Sequence, residues 1–215
     1  MTGKLLTELI GTFFLVLTIG LTVVGGTPFA PLAIGSALMV MVYMGGHISG
    51  AHYNPAVTLA VWARGGIGAA QVAPYWIAQL AGALLAAAAT HVVTRQTYVP
   101  APGATATMLG AVLVELLFTF ALALVVLRTA TAEETKGNSF YGLAIGFTVT
   151  VGAFAGGGIS GGAFNPAVGL GPIFYDALAS GGSLANAWLY VVAPLAGGLL
   201  AAAVYRFQSQ RTSGS

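Results

Sequence analysis

Two Asn-Pro-Ala triplets carry the polar chemistry of an otherwise apolar chain: Asn54, Pro55 and Ala56, then Asn165, Pro166 and Ala167. They lie within longer matching stretches, HISGAHYNPAVTLA at 47–60 and GISGGAFNPAVGLG at 158–171, identical at eight of fourteen positions. A single triplet is a capped helix start, because Asn is a good N-cap and Pro suits the first helical position. A duplicated triplet, each copy opening an apolar piece too short to cross a bilayer, predicts two half-helices that meet at one pore. Facing helix N-termini bring about half an elementary charge of positive potential each, which disfavours a passing cation or excess proton. The two carboxamides can donate hydrogen bonds to an oxygen of the permeant and so replace those it loses on leaving bulk water.

The composition determines what must position these groups. Hydrophobic residues make up 57% and charged residues 6% of 215, with a mean hydropathy of +0.90, whereas a soluble domain carries about 25% charge. Water is therefore not the main solvent of this surface. The 31 glycines suit membrane helices that pack closely through small residues. With no cysteine, disulfides, thiolate metal sites and a cysteine nucleophile are excluded. A net charge of +2 is too small and scattered for a nucleic-acid surface.

Six stretches approach the ~20 apolar residues of a spanning helix: 4–24, 31–46, 69–92, 107–129, 139–157 and 184–206. The first keeps Glu8 within its apolar pattern and reads as a retained span, not a signal peptide. Two further pieces, 54–63 and 165–175, reach about 15 Å at ~1.5 Å per residue, half the needed depth. They end near Arg64 and Asp176, which suit a membrane boundary. Lys4, Arg64, Arg128, Lys136, Arg206 and Arg211 fall on one side of an even number of spans and Arg95 on the other. Basic residues favour cytoplasmic loops, so both termini are expected in the cytoplasm.

The halves also match at their starts, TELIGTFFLVLT at 7–18 against VELLFTFALALVV at 114–126. Three spans per half is an odd number, so the second copy must lie inverted, with its site near the midplane where broken helices meet. The expected fold is an all-α membrane protein: six transmembrane helices plus two re-entrant half-helices in two inverted repeats. It forms one domain over 1–215, with repeats at about 1–93 and 107–207 and an extracellular linker at 94–106. Carbonyls of 47–53 and 158–164 are expected to form a ladder of acceptors along the pore. Gly46, Gly50, Gly157, Gly158, Gly161 and Gly162 would permit the irregular path.

On the paired triplets and the repeated spans, the chain resembles the aquaporin, or major intrinsic protein, family from Glu8 to about Arg206. The resemblance implies that the two boxes abut at the centre of a water or small-solute channel and that the protein is a homotetramer with one pore per subunit, in the cell membrane. The small-residue faces 81–89 and 196–203 would allow such contacts. It also implies that Glu8 and Glu115, at matching places in the halves, buttress the re-entrant loops by accepting backbone hydrogen bonds. No cofactor is implied.

The chain departs from the family at the outer filter. An Arg usually stands three residues after the second Asn; here that position is Val168. The other three filter positions fall on Ile34, Ala153 and Gly162, none aromatic and none charged. The Asp usual in glycerol-conducting members is replaced by Gly169. A wider, more apolar constriction is expected, which would pass glycerol, urea, ammonia or metalloid acids beside water.

His47 and His52 precede the first Asn without a third metal ligand. Each is expected to make a loop hydrogen bond, with pH gating as the alternative. His91 reads as an interface residue, Tyr43, Tyr53 and Phe164 as packing around the pore, and Trp62, Trp76 and Trp188 as interfacial anchors. Glu133, Glu134 and Lys136 read as a solvated loop. The competing function is an ion- or proton-coupled secondary transporter, which also uses inverted repeats. Its mark would be midplane carboxylates, and the motif loops contain none. No Ser-His-Asp arrangement or metal-ligand cluster suggests an enzyme.

Overall fold

Each element begins and ends where local chemistry dictates. In the computed structural model, which describes residues 1–212 with side chains to 209, the chain forms eight α-helices. The first half contains α1 (Thr2–Val24), α2 (Ala30–Ser49), α3 (Pro55–Ala63) and α4 (Ala69–Thr94). The second contains α5 (Met108–Ala130), α6 (Tyr141–Ser160), α7 (Pro166–Ser180) and α8 (Leu189–Thr212), with a short 3₁₀ turn at Glu133–Thr135. Six of them, all but α3 and α7, are long and apolar enough to cross a membrane. Among the described residues there is no strand.

The helices α2 and α6 stop at Gly50 and Gly161, whose φ angles of +92° and +90° cost a side-chain-bearing residue far more than glycine. The chain then runs irregularly for a few residues before Asn54 and Asn165 start α3 and α7. At nine residues, α3 spans about 14 Å. The fifteen residues of α7 exceed the expected 165–175. Asp176 does not end the helix; it lies inside, and Gly181 at φ +70° closes it with its N–H on the Asp176 carbonyl. At ~22 Å, α7 is still short of the ~30 Å hydrocarbon core. Residues 185–188 form turns, so α8 starts at Leu189 and not at 184.

The half-helices bind the two halves together, because α3 packs on α8 and α7 on α4. The long helices pair as α1 with α4, α5 with α8, and α2 with α6. These contacts are close enough to exclude a β-carbon. One placed on Gly82 would lie 2.4 Å from the Leu9 carbonyl oxygen, and one on Gly197 2.4 Å from that of Leu116. The small-residue faces of α4 and α8 are in large part covered inside the chain, with Ala83, Ala86, Ala201 and Ala202 buried, while Ala196 and Ala203 are exposed. The perimeter is built of large apolar residues instead, such as Ile77, Leu85, Leu109, Phe154 and Leu178. Aliphatic bulk outside and small residues between helices is the arrangement lipid favours. Lys4, Arg64 and Lys136 line one end of the bundle, where Arg64 and Arg128 both stack on Tyr205 and Arg206 donates to the Ala63 carbonyl. Arg95 caps α4 beside the linker at the other end. The Arg211 side chain lies outside the described residues.

Candidate pore

The two triplets come together at the middle of the fold. Asn54 Nδ2 donates to the Phe164 carbonyl at 2.9 Å, and Asn165 Nδ2 donates to the Tyr53 carbonyl at 2.8 Å. Each Asn oxygen accepts from its own helix start: Ala56 N and Val57 N for Asn54, Ala167 N for Asn165. One amide N–H of each Asn is thus spent joining the loops. Among the described residues no protein acceptor takes the second, and both side chains line a central cavity of about 30 Å³. That is room for one or two waters.

Two buried carboxylates hold the loops that carry these groups. Glu8 accepts from His52 N (3.0 Å), Tyr53 N (2.7 Å), the Ser49 hydroxyl (2.7 Å) and Gln79 Nε2 (2.8 Å). Glu115 accepts from Ala163 N (2.9 Å), Phe164 N (2.6 Å) and the Ser160 hydroxyl (2.7 Å). Both are fully buried. Ala51, Tyr53 and Phe164 stand at φ +51°, +49° and +49°, a region that costs an ordinary residue of order 1 kcal/mol or more. Hydrogen bonds from Tyr53 N and Phe164 N to the carboxylates, and from Ala51 N to the Ser49 hydroxyl, offset that cost.

Of the expected ladder at 47–53 and 158–164, the first carbonyls belong to the last turns of α2 and α6, which end at Ser49 and Ser160. The Ser49 carbonyl accepts from Tyr75 OH and that of Ser160 from Tyr190 OH, while Tyr53 and Phe164 are taken by the Asn amides. The Ile159 carbonyl accepts from Gly103 N, and among the described residues the carbonyls of His47, Ile48 and 50–52, with those of Gly158 and 161–163, have no protein donor. Gly46, Gly157 and Gly158 lie inside regular helix; Gly50, Gly161 and Gly162 have positive φ.

Three cavities follow one another through the bundle. A vestibule of about 360 Å³ opens beneath the linker, lined by Tyr98, Val99 and Pro100. It meets the central cavity at Ile19, Ile34, Gly162 and Val168, which line both. Ala153 lines this vestibule but not the central cavity. A second vestibule of about 610 Å³, containing Lys4, His47 and Arg64, meets the central cavity at His52 and Val126.

The family profile of the major intrinsic proteins matches residues 1–205. The chain belongs to the major intrinsic protein family. It is 38% identical to the glycerol uptake facilitator protein-like 6 of Lactiplantibacillus plantarum over 93% of this chain and 94% of that one. It is 37% identical to aquaporin NIP1-1 of Zea mays over 94% of this chain and 73% of that one. The fold matches the X-ray structure of the aquaglyceroporin from Plasmodium falciparum at a TM-score of 0.83, covering 95% of each chain at 22% identity. As a major intrinsic protein the chain is an integral, multi-pass membrane protein and a passive channel.

The remaining residues divide by what they touch in this major intrinsic protein. His52 is buried, with Nδ1 3.1 Å from the Thr58 hydroxyl, whereas His47 is exposed on the second vestibule. His91 Nδ1 meets Tyr175 OH at 3.0 Å, joining α4 to α7. Tyr53 and Phe164 are buried beside the pore, while Tyr43 is exposed and bonds to Ser139 O and Leu143 N. Trp62 and Trp188 are exposed; Trp76 Nε1 instead donates to the Pro55 carbonyl and holds the start of α3. Glu133 and Lys136 form an exposed ion pair at 3.2 Å. Sequence reasoning missed Ile19, Val126, Thr58 and Gln79. For the first two a signal existed: each stands eleven residues after Glu8 or Glu115, about three helical turns, so each shares the carboxylate's face.

Proposed function

We propose that this chain conducts water together with small uncharged solutes such as glycerol, urea and ammonia, through a constriction that carries no fixed charge. The observation that supports this most is the lining of the neck between the linker-side vestibule and the central cavity. There Ile34, Val168 and Gly162 line both cavities, with Ala153 on the vestibule side alone. Without an Arg at 168 the filter has no fixed positive charge and lacks five donors. An apolar wall admits methylene and amide groups that a charged, hydrated wall rejects.

Cation and proton rejection then rests on the centre. Asn54 and Asn165 each present one remaining N–H to the central cavity, and the N-termini of α3 and α7 point to the same place. A water passing there donates away from both amides, so a continuous proton wire is broken. Glu8 and Glu115 act as buttresses in this reading, not as proton carriers, since their oxygens are engaged by loop donors. The gathering of basic residues at the end opposite the linker supports cytoplasmic termini. Assembly as a homotetramer in the cell membrane, with one pore per subunit, completes the proposal.

The test is stopped-flow flux through the protein in liposomes. Val168→Arg is expected to cut glycerol and urea flux on the order of tenfold, equivalent to ~1.4 kcal/mol of added barrier, while water flux falls less. A wild-type protein that passes water but excludes glycerol, urea and ammonia sinks the proposal. An unchanged solute profile in Val168→Arg would mean that the filter lies elsewhere.

A further inference from the structure

The neck beneath the linker has no bond of its own to set its width. Ile19, Ile34 and Val168 are aliphatic and Gly162 has no side chain, so no side-chain hydrogen bond can cross it. Its walls come from four elements: α1, α2, the loop after α6, and α7. Helix α1 packs on α2 and α4, whereas α7 packs mainly on α4 and α8. These two helices therefore reach the neck without a packing face in common.

The linker joins them. Thr97 donates its hydroxyl hydrogen to Asp176 Oδ1 of α7 at 2.6 Å, and the next residue, Tyr98, donates from its hydroxyl to the Val16 carbonyl of α1 at 3.0 Å. Val16 stands three residues before Ile19, on the same side of α1; Asp176 stands eight residues, about two turns, after Val168. The Tyr98 ring fills a slot at Gly20, where a β-carbon would lie 2.6 Å from Cε1. Five residues further on, Gly103 N donates to the Ile159 carbonyl at 3.0 Å, just before the loop that carries Gly162. A β-carbon on Gly103 would overlap the Gly158 carbonyl oxygen, so this pin needs glycine. Pro100 and Pro102 lie between the pins, and their rings fix φ at two of the four intervening residues. A segment held at both ends and stiffened between them transmits displacement instead of absorbing it. Val99, Pro100 and Ala101 also line the vestibule directly. A chain of two inverted repeats has one linker, so the strap exists on one side of the pore only.

We infer that residues 97–103 form a stiff strap that sets the width of the outer neck, with Tyr98 as its positioning residue. Tyr98 acts through Ile19, Thr97 through α7 and Gly103 through the Gly162 loop. With the strap in place the neck favours narrow solutes; with a pin removed, α1 and α7 separate and wider solutes such as glycerol gain over water. The inference rests on the channel reading above and adds residues outside the four filter positions.

Flux of water, urea and glycerol is measured for the full chain in liposomes, with matched elution from a sizing column as the check on folding. Tyr98→Ala and Thr97→Val are each expected to raise the ratio of glycerol to water flux by about threefold. Tyr98→Phe, which keeps the ring in the Gly20 slot, stays near wild type. The ratio does not depend on how many channels are active, so a merely structural loss lowers all three fluxes and leaves it unmoved. A second measurement needs no solute discrimination. The chain contains no cysteine, so Val99→Cys introduces a single thiol, and a methanethiosulfonate reagent added to the liposomes is expected to cut water flux at least by half while wild-type flux is unaffected. If Val168→Arg changes the solute profile but Tyr98→Ala and Thr97→Val do not, the strap is refuted and the broad channel stands. If wild-type protein conducts water alone, the broad channel fails, and Tyr98→Ala must then admit urea or glycerol; continued exclusion refutes the strap. Unaltered flux after modification of Val99→Cys also overturns it.

Discussion

Glu115→Ala is expected to destabilise the folded protein by about 2–6 kcal/mol and to abolish conduction. The side chain satisfies the backbone N–H groups of Ala163 and Phe164 and the Ser160 hydroxyl. Removing it orphans two buried donors at ~1–3 kcal/mol each, next to a Phe164 held at φ +49°. The Phe164 carbonyl cannot take over, because it is already joined to Asn54. Glu8→Ala has the same effect on His52 N and Tyr53 N. Glu→Gln should fall between, since the amide keeps one acceptor but turns a second donor toward an N–H. The measurements are the unfolding midpoint in detergent and water flux in liposomes, with Thr148→Ala as the control. Thr148 only returns a hydrogen bond to Ala144 within its own helix. An Ala variant that melts with wild type would remove the buttress from the account. Flux that is driven by pH and lost in Glu→Gln would make these residues proton carriers.

Gly146→Val should prevent α2 and α6 from closing. A β-carbon at Gly146 would lie 2.4 Å from the Gly35 carbonyl oxygen and 2.7 Å from Met39 Cβ. One at Gly35 would lie 2.5 Å from the Gly146 carbonyl oxygen. The clash is with backbone, so no rotamer relieves it and the helices must separate. Overpacking a close contact costs typically ~1–3 kcal/mol, and a helix-on-helix backbone contact belongs at or above the top of that range. Gly158→Ala, whose added carbon meets nothing within 4 Å, is the matched control. The yield of folded protein from detergent decides it: equal yields for the two variants would show that this crossing is not required.

Several features were readable without coordinates because membrane folding uses few, strong signals. Six apolar stretches became six long helices, since a ~20-residue apolar stretch in a bilayer satisfies its own backbone within the segment only as a helix. Asn54 and Asn165 start their helices because Asn followed by Pro caps a helix wherever it stands. Boundaries were less readable. Asp176 suggests an end to α7, but a charge does not stop a helix; Gly181 does, by adopting a positive φ that glycine alone tolerates cheaply. The small-residue faces of α4 and α8 suggest contact with another subunit as readily as with a neighbour. The 2.4 Å approaches at Gly82 and Gly197 assign the glycine side of each face to neighbours within the chain.

The repeat in the sequence alone settled that the protein has two inverted halves, that each carries a capped half-helix, and that a carboxylate stands at the same place in both. These are local or periodic properties, and one chain displays them twice. Which atoms meet depended on the tertiary structure. It spends one N–H of each Asn on the opposite loop, takes the Ser49 and Ser160 carbonyls with the Tyr75 and Tyr190 hydroxyls, and has Ile19 and Val126 line one cavity. Such facts concern residues far apart along the chain. They arise from the way two copies of one pattern pack against each other, and no spacing along the chain encodes that distance.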